Sequence, residues 1–190
     1  NDVVVLDPTL TALTGSVTFN GGAGSDSLDS SAYTGRVVFN GGDGDDTLLG
    51  GSGNDVVNGG AGNDRLEINV SGIDDNLTIR GGDGNDTISI EVSVVDDFFT
   101  VEGGAGDDVV GLNQFSVGDD LRIDLGDGND SLIANGVSSD DNLIVDSGAG
   151  DDTLRIAAGF TKDNMSLLTG PGDDNVIFRN NIVIDDLSIG

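Results

Sequence analysis

The chain has 190 residues, with 35 acidic against 7 basic side chains, a net charge of −28, 32 glycines, 2 prolines and no cysteine. Glycine at that density excludes an ordinary helical protein, because each glycine inside a helix costs about 1 kcal/mol relative to alanine, and no G-X-Y period points to collagen. The charge disfavours nucleic acid and anionic membranes and suits cations, no apolar run approaches bilayer length, so membrane insertion is not expected, and without cysteine a staple other than a disulfide is needed.

Taken in chain order, Asn1-Asp2 reads as the remnant of a turn, and the turns GGAGSD and GGDGDD end at Asp26 and Asp46. Residues 41–67 are three consecutive copies of GGxGxDxUx, with U apolar: GGDGDDTLL, GGSGNDVVN and GGAGNDRLE. From Gly59 to Gly190 the chain divides into six units of 22 residues, each opened by such a turn, whose last Asp is Asp64, Asp86, Asp108, Asp130, Asp152 and Asp174. After each turn comes an alternating apolar pair, such as Leu66 and Ile68 or Val110 and Leu112, and later a second, such as Leu77 and Ile79 or Leu121 and Ile123. Period two indicates a strand. Each unit is therefore strand, turn, strand, turn, and such half-buried strands are stable only when successive units stack. The fold class expected is all-β, a parallel β-roll or β-solenoid over residues 1–190, with two short strands and two turns per coil. Coils of 24, 20 and 18 residues lead into the 22-residue register, these being the spacings from Asp2 to Asp26, Asp46 and Asp64.

Thirty-two of the 35 acids are Asp, the exceptions being Glu67, Glu91 and Glu102. Asp is favoured where a short carboxylate bonds its own turn or a metal ion. Stacking the coils lines up the eight turn carboxylates, Asp26, Asp46, Asp64, Asp86, Asp108, Asp130, Asp152 and Asp174, about 4.8 Å apart. Unit charges at that spacing repel by roughly 3.5 kcal/mol at an effective dielectric of 20, so the ladder needs counter-charge. A second candidate ladder on the opposite edge reads Asp55, Asp75, Asp97, Asp119, Asp141, Asp163 and Asp185, with Gly15 and Gly35 at the corresponding places upstream. Beyond Asp55 it lacks the glycine pair, and its acids serve equally well as braces of their own turns. Oxygen ligands without His or Cys favour a hard cation of flexible coordination, hence calcium over zinc or strictly octahedral magnesium.

The tandem nonapeptides closely resemble the RTX, or haemolysin-type, calcium-binding repeat family. The resemblance implies several Ca2+ ions, each between turns one coil apart on the same edge. They would be held by the eight Asp carboxylates and by backbone carbonyls of Gly22, Gly24, Gly42, Gly44, Gly60, Gly62, Gly82, Gly84, Gly104, Gly106, Gly126, Gly128, Gly148, Gly150, Gly170 and Gly172. Leu125, Ser147 and Thr169 depart from the motif by replacing its first glycine, and Pro171 follows Gly170. The resemblance further implies a calcium-binding scaffold or spacer module of a secreted or cell-surface bacterial protein, folding on calcium binding. The alternative is a calcium-dependent adhesion module binding glycan or protein. An enzyme is not expected, because no His is present as a base and a repeated Asp is explained by its repetition. Both ends look uncapped, so the chain reads as part of a longer array in end-to-end contact with neighbouring repeats.

Overall fold

The computed structural model describes the whole chain except residues 8, 10–14, 71, 74–75, 93, 181 and 184–185. Its regular elements are all strands, arranged in three parallel sheets of nine, nine and five strands. The first sheet stacks Val3–Val5, Ser27–Asp29, Thr47–Gly50, Arg65–Val70, Thr87–Val92, Val109–Asn113, Ser131–Asn135, Thr153–Ala157 and Asn175–Arg179. The second stacks Val17–Ala23, Val37–Asp43, Val56–Ala61, Leu77–Asp83, Phe99–Ala105, Leu121–Asp127, Leu143–Asp146, Met165–Leu168 and Leu187–Ile189. Every strand pairs with its counterpart one coil away. The register Val3↔Ser27, Ser27↔Thr47, Thr47↔Arg65 and Arg65↔Thr87 reproduces the expected coil lengths.

Alternation places the core. Leu66, Ile68, Leu77, Ile79, Ile88, Ile90, Phe99 and Val101 are all buried, while the residues between them face outward. Each such side chain taken fully from water stabilises the stack by about 1.5–3 kcal/mol, and each is buried only because a neighbouring coil covers it.

The 22-residue coils hold more than two strands. A third sheet joins Val94–Val95, Ser116–Val117, Ser138–Ser139, Phe160–Thr161 and Ile182–Val183, and a bridge from Ile73 to Val95 begins it. The four residues that these coils have beyond the 18-residue coil turn an extra corner. At that corner Gln114, Gly136, Ala158 and Asn180 form a column at φ of 53°, 64°, 55° and 54°. Just past it Phe115 and Val137 are buried, as are Val95 and Val117 of the short strands, so the wider edge is still filled by apolar side chains. Phe115 lies against Phe99, ring centres 5.5 Å apart.

Candidate metal centre

Strands of the second sheet run straight into the glycine turns, which deliver each chain to the first sheet and leave the last Asp of the turn pointing inward. Asp26, Asp46, Asp64, Asp86, Asp108, Asp130 and Asp152 are at most 3% exposed, and Asp174 at the end of the file is half-buried. One oxygen of each carboxylate is committed. Oδ1 accepts the backbone N–H of the equivalent Asp one coil before it: Asp46 from Asp26 at 2.7 Å, Asp108 from Asp86 at 2.8 Å, Asp174 from Asp152 at 3.0 Å. The other oxygen, Oδ2, is buried without a hydrogen-bond partner in every carboxylate from Asp26 to Asp152.

What faces that oxygen is a further acceptor. A Cβ placed on Gly81 would lie 2.3 Å from Asp86 Oδ2 and 2.5 Å from the carbonyl oxygen of Gly103, and one on Gly103 would meet Leu125 O at 2.3 Å and Asp108 Oδ2 at 2.6 Å. Gly21, Gly41 and Gly59 repeat the arrangement with the carbonyls of Gly41, Gly59 and Gly81. From Gly21 to Gly103 the first glycine of the turn thus leaves open the space where carboxylate and carbonyl converge. Those carbonyls, from the first turn residue one coil on, were not singled out in the sequence. The carbonyls of Gly22 and Gly24 instead face Gly42 and Gly44 of the next turn, and the same holds up the stack to Gly170 and Gly172.

Desolvation dominates the titration of these acids. Burial pushes Asp86 and Asp130 up to about 7 and Asp64 and Asp108 up to about 6, against the backbone N–H bonds that favour the ionised form, and neighbouring carboxylates add to the rise. Asp46 and Asp152 shift the same way for the same first cause. Among the described residues no Lys or Arg side chain pairs with this file: Arg65 pairs with Glu67, Arg80 with Glu102, Arg122 with Asp124 and Lys162 with Asp140, all on the outside. Stacked carboxylates facing carbonyl oxygens, with no donor between them, match an oxygen-ligated hard cation.

The comparisons agree. Residues 9–32, 38–67, 74–89 and 100–112 match the RTX calcium-binding nonapeptide repeat family in four copies. The chain carries RTX repeats. Such repeats point to a calcium-binding repeat module. Comparison with curated proteins and with solved structures gives no match. The family match ends at residue 112, whereas RTX turn geometry persists to Gly172, with positive φ at Gly126, Gly128, Gly148, Gly150, Gly170 and Gly172. Over that stretch Leu125, Ser147 and Thr169 stand in place of the turn's first glycine without loss of shape. Leu125 and Ser147 are fully buried, and the Ser147 hydroxyl donates to the Thr169 carbonyl at 2.9 Å.

The second ladder needs correcting. Strand pairing sets Val56 against Val38 and Thr78, so Asp55 lies level with Val37 and Leu77, in a column of inward apolar residues, and Gly53 takes the place that corresponds to Asp75. Asp55 is therefore a single RTX rung on the opposite edge. It is 1% exposed, its Oδ1 accepts the Val37 N–H at 2.8 Å, its Oδ2 has no partner, and burial pushes it up to about 7. Asp97 and Asp119 are half-buried, and Asp141 and Asp163 are exposed. Their backbones stack, Asp119 N on Asp97 O at 3.2 Å and Asp163 N on Asp141 O at 3.3 Å. Asp75 and Asp185 lie outside the described residues. This edge brings acids together on the surface, unlike the buried file of the RTX turns.

One ladder went unread in the sequence. The fifth position of the RTX turns, filled by Asp45, Asn63, Asn85, Asp107, Asn129, Asp151 and Asp173, forms an exposed rim in which the side-chain oxygen of each of the first six accepts the N–H of the next coil at 2.8–2.9 Å. The 22-residue recurrence of Asn or Asp at that position was its signal.

Proposed function

We propose that this chain is a calcium-stabilised scaffold or spacer of a secreted or cell-surface protein, one continuous stack that folds when calcium fills the RTX edge. The observation that supports the reading is the file of buried, unpartnered Oδ2 atoms on Asp26, Asp46, Asp64, Asp86, Asp108, Asp130 and Asp152. Leaving one such atom unsatisfied costs about 1–3 kcal/mol, more when it is charged. Seven together would cost a large share of a domain's stability. Calcium would supply the positive charge that these oxygens lack. The ligands would be the eight Asp carboxylates with carbonyls of the turns, foremost those of Gly41, Gly59, Gly81, Gly103 and Leu125. An ion that binds the native coil and hardly the unfolded chain drives folding by mass action. Such a chain would be unfolded where calcium is scarce and would fold in a calcium-rich exterior.

The deciding measurement is circular dichroism during calcium titration of metal-free protein at neutral pH and low salt. A cooperative gain of β structure with calcium, and little with magnesium, is expected. A full β spectrum in metal-free protein would overturn the proposal.

A further inference from the structure

The outward face of the first sheet, from Arg65–Val70 to Asn175–Arg179, is poor in acids for so acidic a chain. Strand pairing arranges its outward residues in three rows, Arg65-Thr87-Val109-Ser131-Thr153-Asn175, Glu67-Ser89-Gly111-Ile133-Arg155-Ile177 and Asn69-Glu91-Asn113-Asn135-Ala157-Arg179. Two of the chain's 35 acids and three of its 7 basic residues stand here. The acids lie at one end, Glu67 and Glu91, and beyond the paired Arg65 the bases lie at the other, Arg155 and Arg179. Between them the face is uncharged, with Val109 46% and Ile133 40% exposed. Its features are a gap and a dent. Gly111 has no side chain beside Ile133, and Glu67, Asn69, Ser89 and Glu91 line a shallow depression.

We propose that this face docks a second copy of the chain, the two stacks running antiparallel about a two-fold axis parallel to the strands, between Val109–Asn113 and Ser131–Asn135. An isologous contact sets each strand against the one equally far on the other side of the axis. Ile133 then faces the gap at the partner's Gly111, and Asn113 faces the partner's Asn135. Arg155 faces the partner's Ser89, in the depression flanked by the partner's Glu67 and Glu91. Arg155 forms no ion pair within its own chain among the described residues. Charge selects this arrangement. The other face-to-face two-fold, along the stacking axis, sets acidic end on acidic end and basic end on basic end. The face measures about 25 by 15 Å from strand spacing and rise. It would bury roughly 500 Å² per copy, at the lower end for a specific contact, so the dimer is weak.

The test is sedimentation equilibrium of the calcium-loaded chain up to about 1 mM, a range suited to a small interface. Wild type is expected to be in monomer–dimer equilibrium. Ile133→Glu should abolish the dimer, and Arg155→Glu and Glu91→Arg should each weaken it about tenfold, since charge pairs across an interface set its specificity. The double variant R155E/E91R should regain most of the lost affinity, because each swapped pair meets again across the axis. Unchanged calcium-bound melting of each variant establishes that folding is intact, the sites being exposed. A monomer throughout the range, or a dimer indifferent to Ile133→Glu, would overturn the proposal. So would a double variant no better than the worse single one, which would assign the face to a contact of different symmetry. These outcomes do not depend on which residues hold calcium.

Discussion

Asp108 concentrates the chemistry of the RTX edge in one side chain. Its Oδ1 must accept the Asp86 N–H, and its Oδ2 faces the Leu125 carbonyl with no proton between them. Asp108→Asn keeps the first acceptor and puts an N–H beside the second. The metal-free chain should therefore gain about 1–2 kcal/mol, the size of one buried group satisfied, while calorimetric titration should show weaker calcium binding. Asp119 is the contrast. Desolvation first, and then Asp141 and Asp97, raise its carboxyl above the usual range, yet it is only half-buried and the glycine pair is missing from its turn. Asp119→Asn should leave calcium stoichiometry unchanged and stability little altered, as expected for relief of exposed repulsion. Equal losses of bound calcium in both variants would show that the two edges act alike.

At the scale of the strand and turn, the corner column sorts its residues by backbone need. Gly136 meets φ 64° freely, and Asn180 tolerates φ 54°, but Ala158 is held at φ 55°. The left-handed region costs a non-glycine residue roughly 1–2 kcal/mol. Ala158→Gly should accordingly raise calcium-bound stability by up to about 1 kcal/mol, part of the gain being offset by the freer unfolded chain, and denaturant unfolding measures it. A melting point that falls would mean that the column is not strained. This corner also marks where sequence reading ran out. The coil lengths were legible because every coil repeats an identical Asp, but the third sheet was not. Its inward row, Ile73, Val95, Val117, Ser139 and Thr161, mixes apolar with polar side chains, and its strands are only two residues long, too short for alternation to register. Asp55 was misplaced for a related reason. Its distance was counted forward to Val57, whereas the stack counts back from the next glycine pair, four residues before Gly59, as Leu77 is before Gly81. The buried file itself was plain in the motif. Which carbonyls approach it was not, because that depends on the height of one coil above another.

For the whole molecule, the raised carboxylates make stability depend on pH with opposite sign in the two metal states. In the metal-free coil Asp64 and Asp108 titrate at about 6 and Asp55, Asp86 and Asp130 at about 7, whereas an unfolded Asp titrates near 3.9. Between those values the native coil keeps protons that the unfolded chain has released. Stability from these groups is therefore full below about pH 4 and lost as pH rises through 6 to 7. Calcium reverses the slope, because its ligands must be ionised, so protons compete with the ion and the loaded coil weakens as pH falls below about 7. Thermal melts from pH 4.5 to 7.5 should thus show rigorously metal-free protein, unfolded at neutral pH, gaining a melting transition that rises on acidification, and the melting temperature of the calcium-loaded protein falling, the two converging at low pH. Relief of the overall charge of −28 also favours the metal-free coil in acid, but the exposed acids that carry most of it titrate nearer 4. The midpoint separates the causes. A rise that begins near pH 6 to 7 and is complete near 4 belongs to the buried file, and one that begins only near 4 would mean that Asp64, Asp86, Asp108 and Asp130 are not the groups that hold the metal-free coil open.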